Sequence, residues 1–112
     1  MTPAYDRALE IVDKLKANSV PATVDPRSAT PPCVLITPPN GAIDIACGFT
    51  AEWSLIALAP GGGNADSFKA LDSLRDAVCQ IFPVDRFDLI SYSLSPDNPP
   101  FPAYRIQMKE GV

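Results

Sequence analysis

From Ile43 to Ala57 every odd-numbered residue is apolar: Ile43, Ile45, Cys47, Phe49, Ala51, Trp53, Leu55 and Ala57. Asp44, Gly48, Thr50, Glu52 and Ser54 stand between them. Successive side chains of a strand point to opposite faces, whereas a helix would scatter this set around its circumference. The segment up to Leu58 therefore reads as one long strand, or as two strands in register across a bend at Gly48. One of its faces is expected to be buried and the other wet. Strands typically run about five or six residues, so this one is expected to project beyond its neighbours or to bend onto a second surface.

The flanking segments supply helices and further strands. Residues 3–18 place Ala4, Ala8, Ile11, Val12 and Leu15 at spacings of three and four, the stripe of an amphipathic helix. Thr2 can cap it, Pro3 suits its first position, and Asp6 favours the positive end of its dipole. Glu10 and Lys14 stand in the favourable order for an ion pair on its outer face. Pro21–Val24 reads as a short edge strand and Asp25–Pro32 as a rigid surface loop. The apolar run Cys33–Ile36 is a strand buried on both faces, and Pro38-Pro39-Asn40-Gly41 carries a turn signal that implies a hairpin. A second helix follows residues 60–64, with Asn64 or Asp66 as its cap and Phe68, Leu71, Leu74, Val78, Ile81 and Phe82 as its stripe. Pro83 stops it. Residues 87–94 and 101–108 form the last two strands, with Ile90, Tyr92 and Leu94 on one face of the first. Tyr104, Ile106 and Met108 share one face of the second, opposite Arg105 and Gln107. The order α-β-β-β-α-β-β predicts an α+β fold, a mostly antiparallel or mixed sheet of four to five strands with two helices on one face.

A chain of 112 residues has the size of a single domain. At 12.0 kDa it should expose roughly 6,000 Å² of the ~17,000 Å² of its unfolded form, enough for a core without metals or disulfides. No apolar run approaches the ~18 residues of a membrane helix, and the start lacks the basic and apolar regions of a signal peptide. The protein is expected to stay where it is made. Cys33, Cys47 and Cys79 are widely spaced and form no Cys-x-x-Cys pair, so they read as reduced, buried, small hydrophobes. The sequence has no histidine, which excludes Ser-His-Asp and Cys-His catalysis and zinc sites that need an imidazole. A net charge of −4 argues against a nucleic-acid binder.

No other constellation points to chemistry. Pro60-Gly61-Gly62-Gly63-Asn64 lacks the Gly-Lys-Ser/Thr ending of a phosphate loop and reads as a connector. Asp72 and Asp76 share a helix face with Lys69 and Arg75 beside them, a solvated surface rather than a carboxylate pair. Asp44 and Glu52 would stand roughly 27 Å apart on a straight strand, too far to share a proton or a metal. Trp53, Tyr92 and Tyr104 read as core. No enzyme activity and no cofactor is expected. The 13 prolines are concentrated in three loops, which hold eight of them (Pro26, Pro31, Pro32, Pro38, Pro39, Pro96, Pro99 and Pro100) and are stiffened by them, as suits a domain that presents rigid surfaces to neighbours.

The order of these pieces resembles the tail terminator proteins of long-tailed bacteriophages, especially those infecting actinobacteria. The resemblance is carried by Asp25-Pro26-Arg27, Pro31-Pro32-Cys33-Val34-Leu35, Pro38-Pro39, Cys47-Gly48 and the strand from Trp53 to Leu58. It continues through Ala59-Pro60-Gly61, Asn64-Ala65-Asp66, Ala70-Leu71-Asp72 and Pro102-Ala103-Tyr104-Arg105. It implies a virion protein, assembled in the bacterial host cytoplasm, that caps the tail tube as a homo-hexameric ring and offers the surface that joins the head. Its partners would be further copies of itself, the tail tube protein and a head-tail connector or stopper protein. DNA would only pass through the lumen, which suits an acidic chain, and no membrane is involved. Ring contacts of this kind are heterologous. Pro26, Arg27, Pro39, Asn40, Gly62, Gly63 and Asn64, in stiff or exposed loops beside the strands, are the candidate interface residues. The alternatives are another neck component, such as a head-closure or adaptor protein, and a small-ligand module with a pocket of several hundred Å³.

Overall fold

The computed structural model describes residues 3–44, 48–59, 65–93 and 100–111. Helix α1 spans Pro3–Ala17, strand β1 Ala22–Thr23, β2 Cys33–Ile36, β3 Asn40–Asp44 and β4 Gly48–Leu58. Helix α2 spans Ala65–Ile81, β5 Arg86–Tyr92 and β6 Phe101–Gly111, and a 3₁₀ turn occupies Pro26–Ser28. The class is α+β, as the sequence predicts. The sheet has six strands, one more than expected, in the order β1-β2-β4-β6-β5 with β3 also paired to β4. It is mixed, because β1 runs parallel to β2 while every other pairing is antiparallel.

The predicted long strand is two strands of a hairpin rather than one bent strand. Ile43 faces Phe49 and Asp44 faces Gly48, so the chain reverses between Asp44 and Gly48. The expected turn at Asn40-Gly41 is absent, because both residues already belong to β3. Strands β2 and β3 instead lie end to end along the same edge of β4. Ile36 faces Leu55 and Asn40 faces Glu52, so Thr37, Pro38 and Pro39 stand opposite only Trp53 and Ser54. This surplus residue is a bulge, one of the few places in a sheet where prolines without an N–H are tolerated. Thr37 anchors it by donating to the Ser54 carbonyl from both its backbone N–H, at 3.3 Å, and its hydroxyl, at 2.8 Å.

Both helices cover one face of the sheet. Ile11 and Leu15 of α1 and Leu74, Val78 and Phe82 of and after α2 pack on Val34, Ile36, Trp53, Leu55, Ala57, Ile106 and Met108. Trp53 is 1% exposed, which confirms its reading as core. The opposite face is only partly wet. Its Glu52 and Ser54 are half-buried, but Ile56 and Leu58 are fully buried with Cys33, Leu35 and Ala103. The alternation of β4 ends at Ser54, and the continuous run Leu55–Ala59 is apolar on both sides and buried on both.

On α1 the expected Glu10–Lys14 pair is replaced. Glu10 accepts from Arg7 at 3.1 Å, one turn earlier, and the Lys14 ammonium sits 5.3 Å from the centre of the Phe82 ring. The helix ends in a paired-bond cap: Val20 N–H donates to Leu15 O and Ser19 N–H to Lys16 O, with Val20 and Leu15 both in the core. This cap places Ser19 at φ 64°, in the left-handed region that glycine occupies without steric cost. Ser19→Gly should therefore raise the stability by about 0.5–1 kcal/mol, measured by urea unfolding.

Candidate functional site

Three surface features could receive a partner, and β4 positions two of them. The first is an arm. β5 stops pairing with β6 at Gln107, whereas β6 continues along β4 to Gly111, and β3 accompanies β4 to Gly48. The strand runs on from the buried Trp53 for roughly 17 Å, at ~3.4 Å per residue, to that hairpin end. β3 pairs on one side only, so its outer edge has no strand partner among the described residues. Open edges of this kind are templates for pairing with another chain. The molecule measures 48 × 31 × 24 Å, with a radius of gyration of 14.2 Å against about 13 Å for a compact domain of this length.

The second feature is an apolar cleft of about 360 Å³ between the start of α1 and the proline bulge. Tyr5 and Ala8 form one wall, Val24 and the Pro38-Pro39 pair the other, and the Trp53 indole closes part of its depth. The hydroxyl of Thr37, also on its lining, is already given to the Ser54 carbonyl.

The third lies at the opposite edge of the sheet and towards the other end of β4. Phe68 on the first turn of α2 is 65% exposed, and Leu89 on edge strand β5 is 70% exposed. They flank a shallow groove with Leu71, Pro102 and Tyr104. Phe87 beside them meets Tyr104 edge to face at 5.2 Å and lies under the Arg75 guanidinium at 4.9 Å. Phe68 is thus not the core residue that the sequence predicts. At 100° per residue it lies about 60° to one side of Leu71, while Ser67 lies about 40° to the other, the side of Leu74 and Val78. The buried stripe is Ser67, Leu71, Leu74 and Val78, which leaves Phe68 on the flank that carries Arg75.

Among the described residues, ion pairs clamp neighbouring strands and helix turns. Asp88 on β5 accepts from Arg86 at 3.1 Å and from Arg105 of the neighbouring β6 at 3.2 Å. These two guanidinium hydrogen bonds, that of Arg86 first, hold its carboxyl below the usual range. Burial pushes the Cys33 thiol up, partly offset by a backbone hydrogen bond at Thr30. Cys79 is exposed on α2, contrary to the expectation that every thiol is buried, and Cys47 lies outside the described residues. Among the described residues, no group of three or more Cys, Asp or Glu side chains could hold a metal ion.

The candidate interface residues fall into three places. Pro26 and Arg27 sit in the 3₁₀ turn, which Asp25 caps by accepting from the Arg27 N–H at 2.9 Å, and the Arg27 side chain is 95% exposed. Pro39 is half-buried in the bulge and lines the cleft, and Asn40 begins β3 on the surface. Val24, two residues before Pro26, lines the same cleft, whereas Pro26, Arg27 and Asn40 do not. Gly62, Gly63 and Asn64 lie outside the described residues, as does the expected Asn64 cap. Tyr5, Phe68 and Leu89 were not singled out as surface residues. The one signal in the sequence was that Phe68 departs from the strict stripe through Ser67.

The clamp has a pH signature. Because the folded-state pKa of Asp88 is depressed, its contribution is present above the unfolded carboxylate value and is lost as the pH falls through the folded one. Asp88→Asn should flatten the acid side of the stability profile, below the unfolded carboxylate value, and leave its shape near pH 7 unchanged, read by thermal melts across pH. Compared with models of protein families, with curated proteins and with solved structures, the chain matches none.

Proposed function

We propose that this chain is a structural subunit that joins copies of itself head to tail into a closed ring, and that the ring is a phage tail terminator. In this reading six subunits cap the tail tube and present the surface that joins the head. The observation that carries it is the pair of unlike apolar surfaces on opposite edges of one sheet, a recessed cleft beside the proline bulge and a shallow groove flanked by the exposed Phe68 and Leu89. Identical surfaces favour twofold dimers, whereas unlike surfaces on opposite sides favour repeated addition, which closes into a ring when the rotation permits. The projecting β3–β4 arm fits the same reading, since it carries backbone hydrogen-bonding groups away from the body to where a neighbouring subunit or the tube protein can meet them.

The sequence resemblance turns this general assembly reading into a specific one. It supplies the sixfold number, the tube protein and the connector or stopper protein as partners, and a virion location. The net charge of −4 suits a lumen through which DNA must slide without adhering. A head-closure or adaptor protein of the same neck shares the assembly logic and differs in which neighbour it binds. A second class of reading has its own observation: the cleft of about 360 Å³ is large enough for a small apolar molecule. Ligand pockets carry a few polar groups that orient their guest, and of the two hydroxyls on this lining, those of Tyr5 and Thr37, that of Thr37 is already bonded.

The arm offers the direct test. Joining Gly41 to Ala51, which face each other across the hairpin, through a two-residue Asn-Gly turn removes its tip and leaves the body paired. Electron microscopy of the concentrated wild-type chain should show sixfold rings, and the shortened chain should stay folded but form none. Rings of unchanged yield from the shortened chain would remove the arm from the account. A wild-type chain that carries a stoichiometric small molecule would move the ligand reading to first place.

A further inference from the structure

Resting on the ring reading, we infer that the outer edge of β3 in one copy pairs antiparallel with the outer edge of β5 in the next, Asp44 opposite Arg86 and Asn40 opposite Ile90. β5 ends the sheet on one side, and among the described residues β3 has no strand beyond it on the other. Such edges carry rows of backbone donors and acceptors that a further strand satisfies. The two edges match in direction. β3 runs antiparallel to β4, β4 to β6 and β6 to β5, so β3 and β5 run opposite ways. A ring turns each copy without reversing its strands, and β5 of one copy therefore meets β3 of the next antiparallel. β1 does not obstruct the contact, because it lies beside Val34 and Leu35, on the far side of the proline bulge from β3.

Charge and geometry select the register. On both strands the even-numbered residues share the face away from the helices: Asp88 stands opposite Arg105, itself opposite Ile56, and Asn40 stands opposite Glu52. Two registers pair all of β3 with β5 and keep each face continuous across the join. One sets Asp44 against Arg86, an attractive pair. The other sets Asp44 against Asp88, and like charges directly opposite are destabilising. Asp44 is level with Gly48 of β4, and Arg86 is level, through Gln107, with Ser54. The first register thus shifts neighbouring copies by the six residues from Gly48 to Ser54, about 20 Å, across the ~19 Å width of β3, β4, β6 and β5. The resulting strand tilt is roughly 45°, within the range at which sheets close on themselves. The second shifts them as far as Ile56 and needs roughly 55°. The same offset gives the arm its neighbour: it carries β3 of one copy beside the body of the next, where β5 ends the sheet.

Disulfide trapping reads the register. With the exposed Cys79 replaced by serine, Gly41→Cys and Leu89→Cys fall opposite each other in the inferred register, and Ile43→Cys and Leu89→Cys in the alternative one. Opposite residues of an antiparallel pair stand about 4.5–5.5 Å apart at Cα, within the span of a disulfide. The paired positions lie on opposite edges of one chain, so a link joins two copies. Under mild oxidation the Gly41→Cys/Leu89→Cys chain should give a ladder of linked species ending at six, at least about tenfold stronger than that of the Ile43→Cys/Leu89→Cys chain. On the unmodified chain, hydrogen exchange should show the amides of residues 40–44 and 86–90 gaining protection together as rings form. Equal or stronger linking through Ile43 would overturn the register. Rings that form with neither linking nor gained protection would overturn the pairing and leave the ring reading standing. Linked dimers from Gly41→Cys alone would show β3 pairing with β3 and overturn it too. A wild-type chain that stays monomeric at every concentration would remove the ring reading and this pairing together.

Discussion

The antiparallel pairing of β4 with β6, from Thr50↔Gly111 to Leu58↔Ala103, is the contact on which the other elements are registered. β2 and β3 share the opposite edge of β4, β5 is added to the far edge of β6, and both helices pack on side chains that these strands present. Trp53 sits where the body of the sheet gives way to the arm: beneath the helices, beside the bulge and at the depth of the cleft. Truncating such a buried side chain costs about 3–5 kcal/mol, a large share of the stability of a domain this size. A fault in this one pairing would displace core, bulge and cleft together.

The same strand creates the molecule's tension with its solvent. A sheet strand that outruns its helices carries backbone hydrogen-bonding groups into water, and among the described residues the outer edge of β3 has no strand partner. Proteins usually shorten, twist or cover such edges. Here the Pro38-Pro39 bulge interrupts the edge at its middle, between β2 and β3, yet the arm beyond it remains paired to its end. Together with two exposed apolar surfaces, this geometry is costly for a solitary monomer and useful for a subunit whose edges are met by neighbours. The clamp of Asp88 between Arg86 and Arg105 adds cross-strand rigidity at β5, the strand that carries the exposed Leu89.

Much of this was legible in the residues. The stripes Ile11–Leu15 and Leu71–Val78 fix both helices, and the odd positions Trp53, Leu55 and Ala57 fix the buried face of β4. The hairpin was hidden by parity. Ile43 opposite Phe49 and Gly41 opposite Ala51 pair odd with odd, so the alternation continues through the reversal as though the strand had never turned. The bulge changes that parity, since Val34 and Ile36 on β2 face Ala57 and Leu55, and two prolines beside Asn-Gly look locally like a turn. The candidate surfaces were harder to read. Tyr5, Phe68 and Leu89 sit within apolar patterns of their own elements, and only the relative placement of helices and sheet decides which of them face outward. The loop residues Pro26, Arg27, Pro39 and Asn40 are nominated through proline stiffness, and of the four Pro39 lines the cleft.

The central claim is that unlike edges of this domain meet in a closed ring, and native mass spectrometry over a hundredfold range of concentration tests it most directly. The expected result is a monomer that converts to a hexamer without a stable dimer, because head-to-tail contacts gain their last interface only on closure. A dimer that persists at all concentrations would contradict the account, since it would show that this surface pairs with itself.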